Sequence, residues 1–131
     1  MSLQAYDEHS LIVDRAQFSD ASTPPALTPM SVLGPLGARY DAIVAVNTDT
    51  VDLDLYVGLT DETPTSQVLG TVTVTAGAGW GTGPAVDVLA ALLPAAVQYI
   101  ALKPGWRLYF GIVSAPASGK FLNVLAMGGN F

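Results

Sequence analysis

The sequence predicts an all-β protein of about seven to eight short antiparallel strands, arranged as a β-sandwich, a jelly roll or a small barrel, with one short helix near 85–93. Three observations support this fold class. Residues 52–59 alternate between apolar and mostly polar side chains, as a half-buried strand does. Residues 67–75 are rich in β-branched side chains, which favour a pleated sheet. Short segments of this kind recur along the chain with turn residues between them.

Four strands are expected in the first half of the chain, besides the one at 67–75. Residues 10–18 alternate weakly between two faces. An edge strand is expected at 30–33, because an edge tolerates the flanking prolines. Residues 40–47 and 52–59 form the next two strands. The polar segment Thr48-Asp49-Thr50 between them is typical of a hairpin turn, so these two strands are expected to pair antiparallel.

A glycine-rich loop opens the second half. Residues 76–84 hold four glycines and a proline around Trp80, which is expected to anchor the loop on the core. Residues 85–93 carry apolar side chains at helical spacing and end before Pro94, which predicts a short helix across the open end of a sandwich. A turn is expected at 103–105, where Pro and Gly suit the two central positions. Three more strands are expected, at 97–102, 106–113 and 120–127.

Length and composition bound the organisation. The 131 residues predict one domain, with residues 1–35, which are polar and rich in proline, as an extended N-terminal arm or an edge segment. Half of the residues are hydrophobic and only 12% are charged, against about 25% in an ordinary soluble domain. Either other subunits cover part of the surface, which predicts a homo-oligomer, or the surface is neutral and rich in small residues.

The charge balance excludes some partners. Eleven acidic residues against five scattered basic ones give a formal net charge of −6 and no basic stripe, so no nucleic-acid binding is expected. The most apolar stretch, 85–102, is interrupted by Asp87, Pro94 and Gln98, so no membrane span is expected either. The first residues lack the pattern of a signal peptide.

Catalytic motifs are not recognisable. The chain has no cysteine and one histidine, which excludes Cys-based metal sites, and His9 is interpreted as a solvated surface residue. Asp49, Asp52 and Asp54 either bind calcium or form a plain solvated face, although their spacing matches no calcium loop. No catalytic residue, cofactor or metal is therefore assigned, and the protein is not expected to be an enzyme.

Aromatic and apolar residues outside the clearest strands are the candidates for contacts. Tyr99, Trp106 and Tyr109 flank one turn and either pack on the core or form a sugar-stacking platform, as in a carbohydrate-binding module. Seven residues are predicted to lie at interfaces with other subunits: Tyr6, Phe18, Pro24, Pro25, Met30, Trp80 and Trp106.

Three segments carry a resemblance to a known family: 43–57, then 69–79 leading into 83–89, and then 102–108. Their order and texture resemble the capsid decoration, or cement, proteins of tailed bacteriophages. The resemblance covers roughly residues 40–127. It implies a jelly-roll-like β-sandwich that is made in the host cytoplasm and resides on the virion. It also implies a homodimer or homotrimer that binds the major capsid protein on the outer capsid surface and stabilises the head. The alternatives are a phage tail, neck or head-fibre component, and a carbohydrate-binding module.

Overall fold

The protein is a β-sandwich of two antiparallel sheets with one short helix in the residues that the structure describes. The computed structural model describes residues 11–30, 35–61, 67–81, 83–94 and 99–131. In chain order the elements are β1 (Leu11–Ser19), β2 (Thr28–Pro29), β3 (Ala38–Asn47), β4 (Leu53–Thr60), β5 (Gln67–Val74), β6 (Val86–Asp87), α1 (Val88–Leu92), β7 (Ile100–Leu102), β8 (Arg107–Ile112) and β9 (Phe121–Asn130).

The strand order is that of a jelly roll. Sheet A runs β1-β9-β3-β6, with β7 also paired to β3, and sheet B runs β2-β8-β4-β5. Strands from the two halves of the chain thus pair in nested order: β1 pairs with β9, β2 with β8, β3 with β7 and β4 with β5. This is the pattern of a long antiparallel ribbon wound into two facing sheets. The predicted all-β class, the sandwich and its jelly-roll character are confirmed.

The core lies between the two sheets and is built by strand alternation. On β4 the inward residues Leu53, Leu55 and Val57 are buried, while Asp54 and Tyr56 between them are partly exposed. Each large apolar side chain buried in this way contributes about 1.5–3 kcal/mol relative to exposure. The largest fully buried side chains come from both sheets: Tyr40, Phe18, Phe110, Ile43, Leu53, Leu55, Leu108, Ile112 and Leu122.

The expected hairpin between residues 40–47 and 52–59 is wrong. Both segments are strands, but β3 lies in sheet A and β4 in sheet B, so residues 48–52 cross from one sheet to the other. The physical reason is that two strands with apolar inner faces can meet across the core as well as side by side. Local alternation fixes the face that each strand buries, and it does not fix the pairing partner.

The predicted helix at 85–93 is shorter in the structure. Val86 and Asp87 pair with β3 as β6, and the helix spans only Val88–Leu92. Asp87 ends the strand and caps the helix, because its Oδ1 accepts a hydrogen bond from Ala90 N at 3.1 Å. The helix contacts β3 of sheet A and β5 of sheet B. It therefore bridges the two sheets, as expected for a helix across the end of the sandwich.

The remaining boundaries differ by small amounts. Of the edge strand expected at 30–33, Met30 is not in a strand and residues 31–33 lie outside the described residues; a two-residue edge strand, β2, lies just before it at Thr28–Pro29 and pairs with β8. Of the strand expected at 97–102, residues 97 and 98 lie outside the described residues, Tyr99 is not in a strand, and Ile100–Leu102 form β7. The turn at 103–105 is confirmed by the Trp106 N to Lys103 O hydrogen bond of 3.3 Å and the positive φ of 90° at Gly105. It connects sheet A to sheet B.

Candidate functional site

The predicted interface residues lie in different environments. Phe18 is 1% exposed and Met30 is 3% exposed, so both belong to the core and form no surface for a partner. Phe18 is buried because it lies on the inward face of β1, two residues along from Ala16. Pro24 and Pro25 are exposed, Trp106 is partly buried against the core, and Trp80 is 69% exposed. Tyr6 and His9 lie outside the described residues, as do residues 1–10 and 31–34 of the segment 1–35 that was expected to be an arm or an edge segment.

The edge of sheet A is formed by β1. All nine residues of this strand pair with β9, from Leu11 opposite Gly129 to Ser19 opposite Phe121. In the described parts of the chain no strand pairs with the other side of β1. This strand contains no proline. A strand of this kind presents backbone donors and acceptors on which another chain can add a strand.

An apolar patch adjoins this edge on the outer face of sheet A. One row across β1, β9 and β3 consists of Val13, Met127 and Ala42. In the next row Leu125 on β9 stands opposite Val44 on β3. Leu11 and Val13 on the edge strand are 53% and 69% exposed. We call Leu11, Val13, Ala42, Val44, Leu125 and Met127 the sheet A patch. Two charged side chains lie in its rows: Arg15 stands opposite Leu125, and Arg39 shares the row of Leu11, since both stand opposite Gly129.

A buried tyrosine fixes the edge strand to the centre of the sheet. Tyr40 on β3 is completely buried, and its hydroxyl donates to Asp14 Oδ2 on β1 at 3.1 Å. The bond crosses over β9, where Gly128 stands opposite both Tyr40 and Ile12. Burial, followed by the charge of Asp14, raises the pKa of Tyr40 well above its ordinary value. The hydroxyl therefore stays protonated and donating, which helps to hold β1 in place.

The glycine-rich loop holds Trp80 away from the core. Ala78 is 3% exposed and anchors the loop, whereas Trp80 projects into solvent, so the expected anchoring role of Trp80 is wrong. Gly77 and Gly79 have positive φ values of 72° and 71°, which the tight winding of this loop requires. Gly79 also lies against Val46, where a Cβ atom would be 2.9 Å from Val46 Cγ2.

A depression of about 420 Å³ lies beside Trp80. Its lining residues come from the β3–β4 connection, the glycine-rich loop and the residue before β9: Thr48, Asp49, Thr50, Ala76, Gly77, Trp80, Gly81 and Lys120. The volume is in the range of pockets that hold small molecules, about 300–1,000 Å³. Sequence reasoning did not bring these three segments together, because they are distant along the chain.

A buried polar network fixes the wall of this depression. Asn47 is completely buried, and its Nδ2 donates to Val51 O at 2.9 Å and to Val74 O at 3.0 Å. Its Oδ1 accepts from Asp49 N at 2.8 Å. The Asp49 carboxylate in turn accepts from Thr50 N at 2.6 Å and from Ala117 N at 2.8 Å.

These contacts keep Asp49 charged. The pKa of Asp49 is lowered, and the hydrogen bond from Ala117 is the largest cause. Burial acts in the opposite direction and raises this pKa, whereas further backbone hydrogen bonds and the charge of Lys120 lower it. Asp49 therefore serves as an ionised structural group at the corner between the sheets.

The three aspartates considered for calcium have separate partners. Asp52 Oδ1 accepts from Ala76 N at 2.9 Å, and Asp54 Oδ1 accepts from Thr73 Oγ1 at 2.7 Å, while Asp49 binds the backbone of its own corner. Within the described residues no group of three or more His, Asp or Glu side chains converges as a metal site would require. None of the described helices has the length and apolar character needed to cross a membrane.

Tyr99, Trp106 and Tyr109, for which a sugar-stacking platform and core packing were the alternatives, do not form an exposed set. Tyr109 is 5% exposed and lies over Gly58, its neighbour across the strand pair. Tyr99 is 48% exposed and stacks on the Arg39 guanidinium, 5.1 Å from the ring centroid. Trp106 lines a separate hollow of about 220 Å³. The three rings thus have three different environments.

Comparison with protein-family models, with curated proteins and with solved structures found no significant match. The geometry of the edge strand and of the Trp80 depression is therefore the basis for the functional proposals.

Proposed function

We propose that this chain is a structural protein of a tailed-phage virion, a capsid decoration protein that binds the outer surface of the head through the β1 edge and the sheet A patch. The observation that carries the proposal is the edge of β1, beside which no strand of the described residues pairs. It offers nine residues of backbone beside two exposed apolar side chains, Leu11 and Val13. Exposed edges of this length are usually protected in monomeric proteins, because they pair with other chains.

The character of the surface supports an assembly role. The sheet A patch continues the exposed side chains of β1 across β9 to β3, so a partner that adds a strand to β1 would also cover apolar rows. The order of the strands is compatible with this role, since jelly rolls are common in viral capsid domains. Jelly rolls also occur in lectins, so the fold does not decide the function and the argument rests on the edge.

The charge of the chain agrees with a position on the outside of a head. A net charge of −6 disfavours contact with packaged DNA and leaves the major capsid protein and a second copy of the chain as the proposed partners. In this proposal the chain is made in the host cytoplasm and joins the particle after the head has expanded.

The test is a binding assay with expanded capsids that lack the chain, prepared from the phage that encodes it. We expect the purified chain to sediment with these capsids at micromolar concentration and cryo-electron microscopy to place it on the outer surface. Native mass spectrometry should show a dimer or trimer. A chain that stays in the supernatant would contradict the proposal, and density on the tail, neck or a head fibre would move the chain to that part of the virion.

Two matched variants test the edge itself. Val13→Asp places a charge on the patch, where the native side chain is 69% exposed, and we expect capsid binding to weaken about tenfold or more. Val68→Asp is the control, since Val68 is 60% exposed on β5, at the edge of the other sheet. Equal binding by both variants would show that β1 is not the contact.

A further inference from the structure

We propose that the Trp80 depression is a binding site for a neutral saccharide, with the Trp80 indole as the stacking face for a pyranose ring. This site is separate from the β1 edge and does not depend on a capsid role. It differs from the aromatic set at Tyr99, Trp106 and Tyr109, because Trp80 combines 69% exposure with a position in the lining of this depression, where none of those three residues lies.

The loop that carries Trp80 is fixed before any ligand arrives. Trp80 N donates to Gly77 O at 2.9 Å, and Gly77 N donates to Asp49 O at 3.1 Å, which ties the loop to the β3–β4 connection. Asn47 N donates to Ala78 O at 2.9 Å. The backbone that carries the ring therefore needs little further ordering on binding, which is the advantage of a preorganised site.

Polar groups around the ring suit the hydroxyls of a sugar. Among the described residues, the Trp80 indole N–H, the Thr50 hydroxyl and the Lys120 ammonium have no hydrogen-bond partner. The Thr48 hydroxyl and the Asp49 carboxylate are already engaged by the backbone of Phe121, Thr50 and Ala117. The depression therefore combines one flat apolar face with a few free donors, a composition that matches the apolar faces and equatorial hydroxyls of a pyranose.

The charge of the site favours a neutral ligand over an anion. Lys120 is the cationic group in the lining, and it lies within the electrostatic reach of the ionised Asp49. The two charges offset each other, and the chain as a whole carries −6. A sulfate, a phosphate or an acidic sugar would meet no net positive field here. A neutral hexose or N-acetylhexosamine unit is the class that the site fits.

The experiment begins with the full chain on an array of neutral and acidic glycans. The best neutral ligand is then titrated while tryptophan fluorescence is recorded. The chain has two tryptophans, so the change is assigned to Trp80 by repeating the titration with Trp80→Phe. We expect millimolar or tighter binding of a neutral glycan, with a fluorescence change that Trp80→Phe removes.

Substitutions then test whether the Trp80 ring carries the binding, or whether any exposed aromatic ring of the chain does. We expect Trp80→Ala to weaken binding about tenfold or more, and Thr50→Val and Lys120→Met to weaken it a few-fold each. Tyr99→Ala removes an exposed aromatic ring outside the depression and should leave binding unchanged. Thermal melts of every variant show whether the fold is retained, which is expected for Trp80→Ala because the side chain is mostly exposed.

Three results would overturn the proposal. The first is that no neutral glycan binds at millimolar concentration. The second is that Trp80→Ala binds as well as the unaltered chain. The third is that only acidic glycans bind, with an affinity that falls as salt is added. If the unaltered chain binds no glycan and the Trp80→Ala variant no longer binds capsids, Trp80 is a contact with the capsid and not with a saccharide. Because the glycan assays use the free chain, their failure leaves the capsid assay unaffected.

Discussion

Tyr40 on the central strand β3 donates its hydroxyl to Asp14 Oδ2 on the edge strand β1, at 3.1 Å and across the intervening strand β9. This contact links the two strands on either side of β9 through one side chain. It places a polar bond at the inner side of the edge, in a region where Tyr40 itself is completely buried. The position of β1, and with it the surface proposed for assembly, depends in part on this bond.

Tyr40→Phe should therefore destabilise the fold. The substitution keeps the ring and removes only the donor to a charged acceptor, which predicts a loss of about 1–3 kcal/mol in the free energy of unfolding. Urea unfolding at neutral pH measures it. Tyr99→Phe is the matched control, because Tyr99 is half exposed, and it should change stability by less than about 0.5 kcal/mol. Equal effects of the two substitutions would show that the hydroxyl of Tyr40 is dispensable.

Asn47 is expected to be the most sensitive polar residue of the corner between the sheets. Asn47→Ala removes two donated hydrogen bonds and one accepted bond in a completely buried position, so the buried carbonyl of Val74 loses a partner. We expect a loss of about 2–5 kcal/mol, measured by chemical denaturation. Thr73→Ala, which removes a single exposed hydrogen bond to Asp54, should cost less than about 1 kcal/mol. A cost for Asn47→Ala as small as that of Thr73→Ala would contradict the role of this network.

The strands were predictable from the sequence because alternation and β-branching are local properties. Residues 67–75 were expected as a strand and form β5 at 67–74, and the strand expected at 120–127 is β9 at 121–130. The partner of each strand was not predictable. The segment Thr48-Asp49-Thr50 has the composition of a hairpin turn, yet Asn47 and Asp49 bind Val74 and Ala117, which are distant along the chain. These long-range bonds select a crossing between the sheets, and no local pattern reveals them.

The candidate sites were predictable only in part. The glycine-rich composition of 76–84 predicted a loop, but the expectation that Trp80 is the side chain it buries is wrong. Ala78 takes the inward position and Trp80, two residues further, points outward. On β1 the alternation separated Leu11 and Val13 from Ile12 and Ala16 but did not predict which face is exposed. The absence of a described strand on the other side of β1 follows from the strand order, which the sequence did not predict.

Acid should destabilise the protein partly through Asp49. Because the folded-state pKa of Asp49 lies below its ordinary value of 3.8, its contribution is fully present above that value. The contribution is lost as the pH falls through the lowered pKa of the folded state. Asp49→Asn removes the titration, so the stability difference between the two proteins should be largest near neutral pH and shrink below about pH 4. Urea midpoints measured from pH 7 to pH 2.5 test this, and a difference that grows in acid would contradict it.

Gly58 and Tyr109 face each other across the β4–β8 pair on the outer side of sheet B, and the Tyr109 ring occupies the space that a side chain at position 58 would need. Gly58→Ala would force a Cβ atom into the ring, so we expect a loss of about 1–3 kcal/mol in the free energy of unfolding. Gly81→Ala is the control, because a Cβ there meets nothing within 4 Å. If the ring is the cause, Gly58→Ala should cost much less in a Tyr109→Ala background, and a double-mutant cycle measures that coupling. An equal cost in both backgrounds would place the strain in the backbone of β4 and not in the contact with Tyr109.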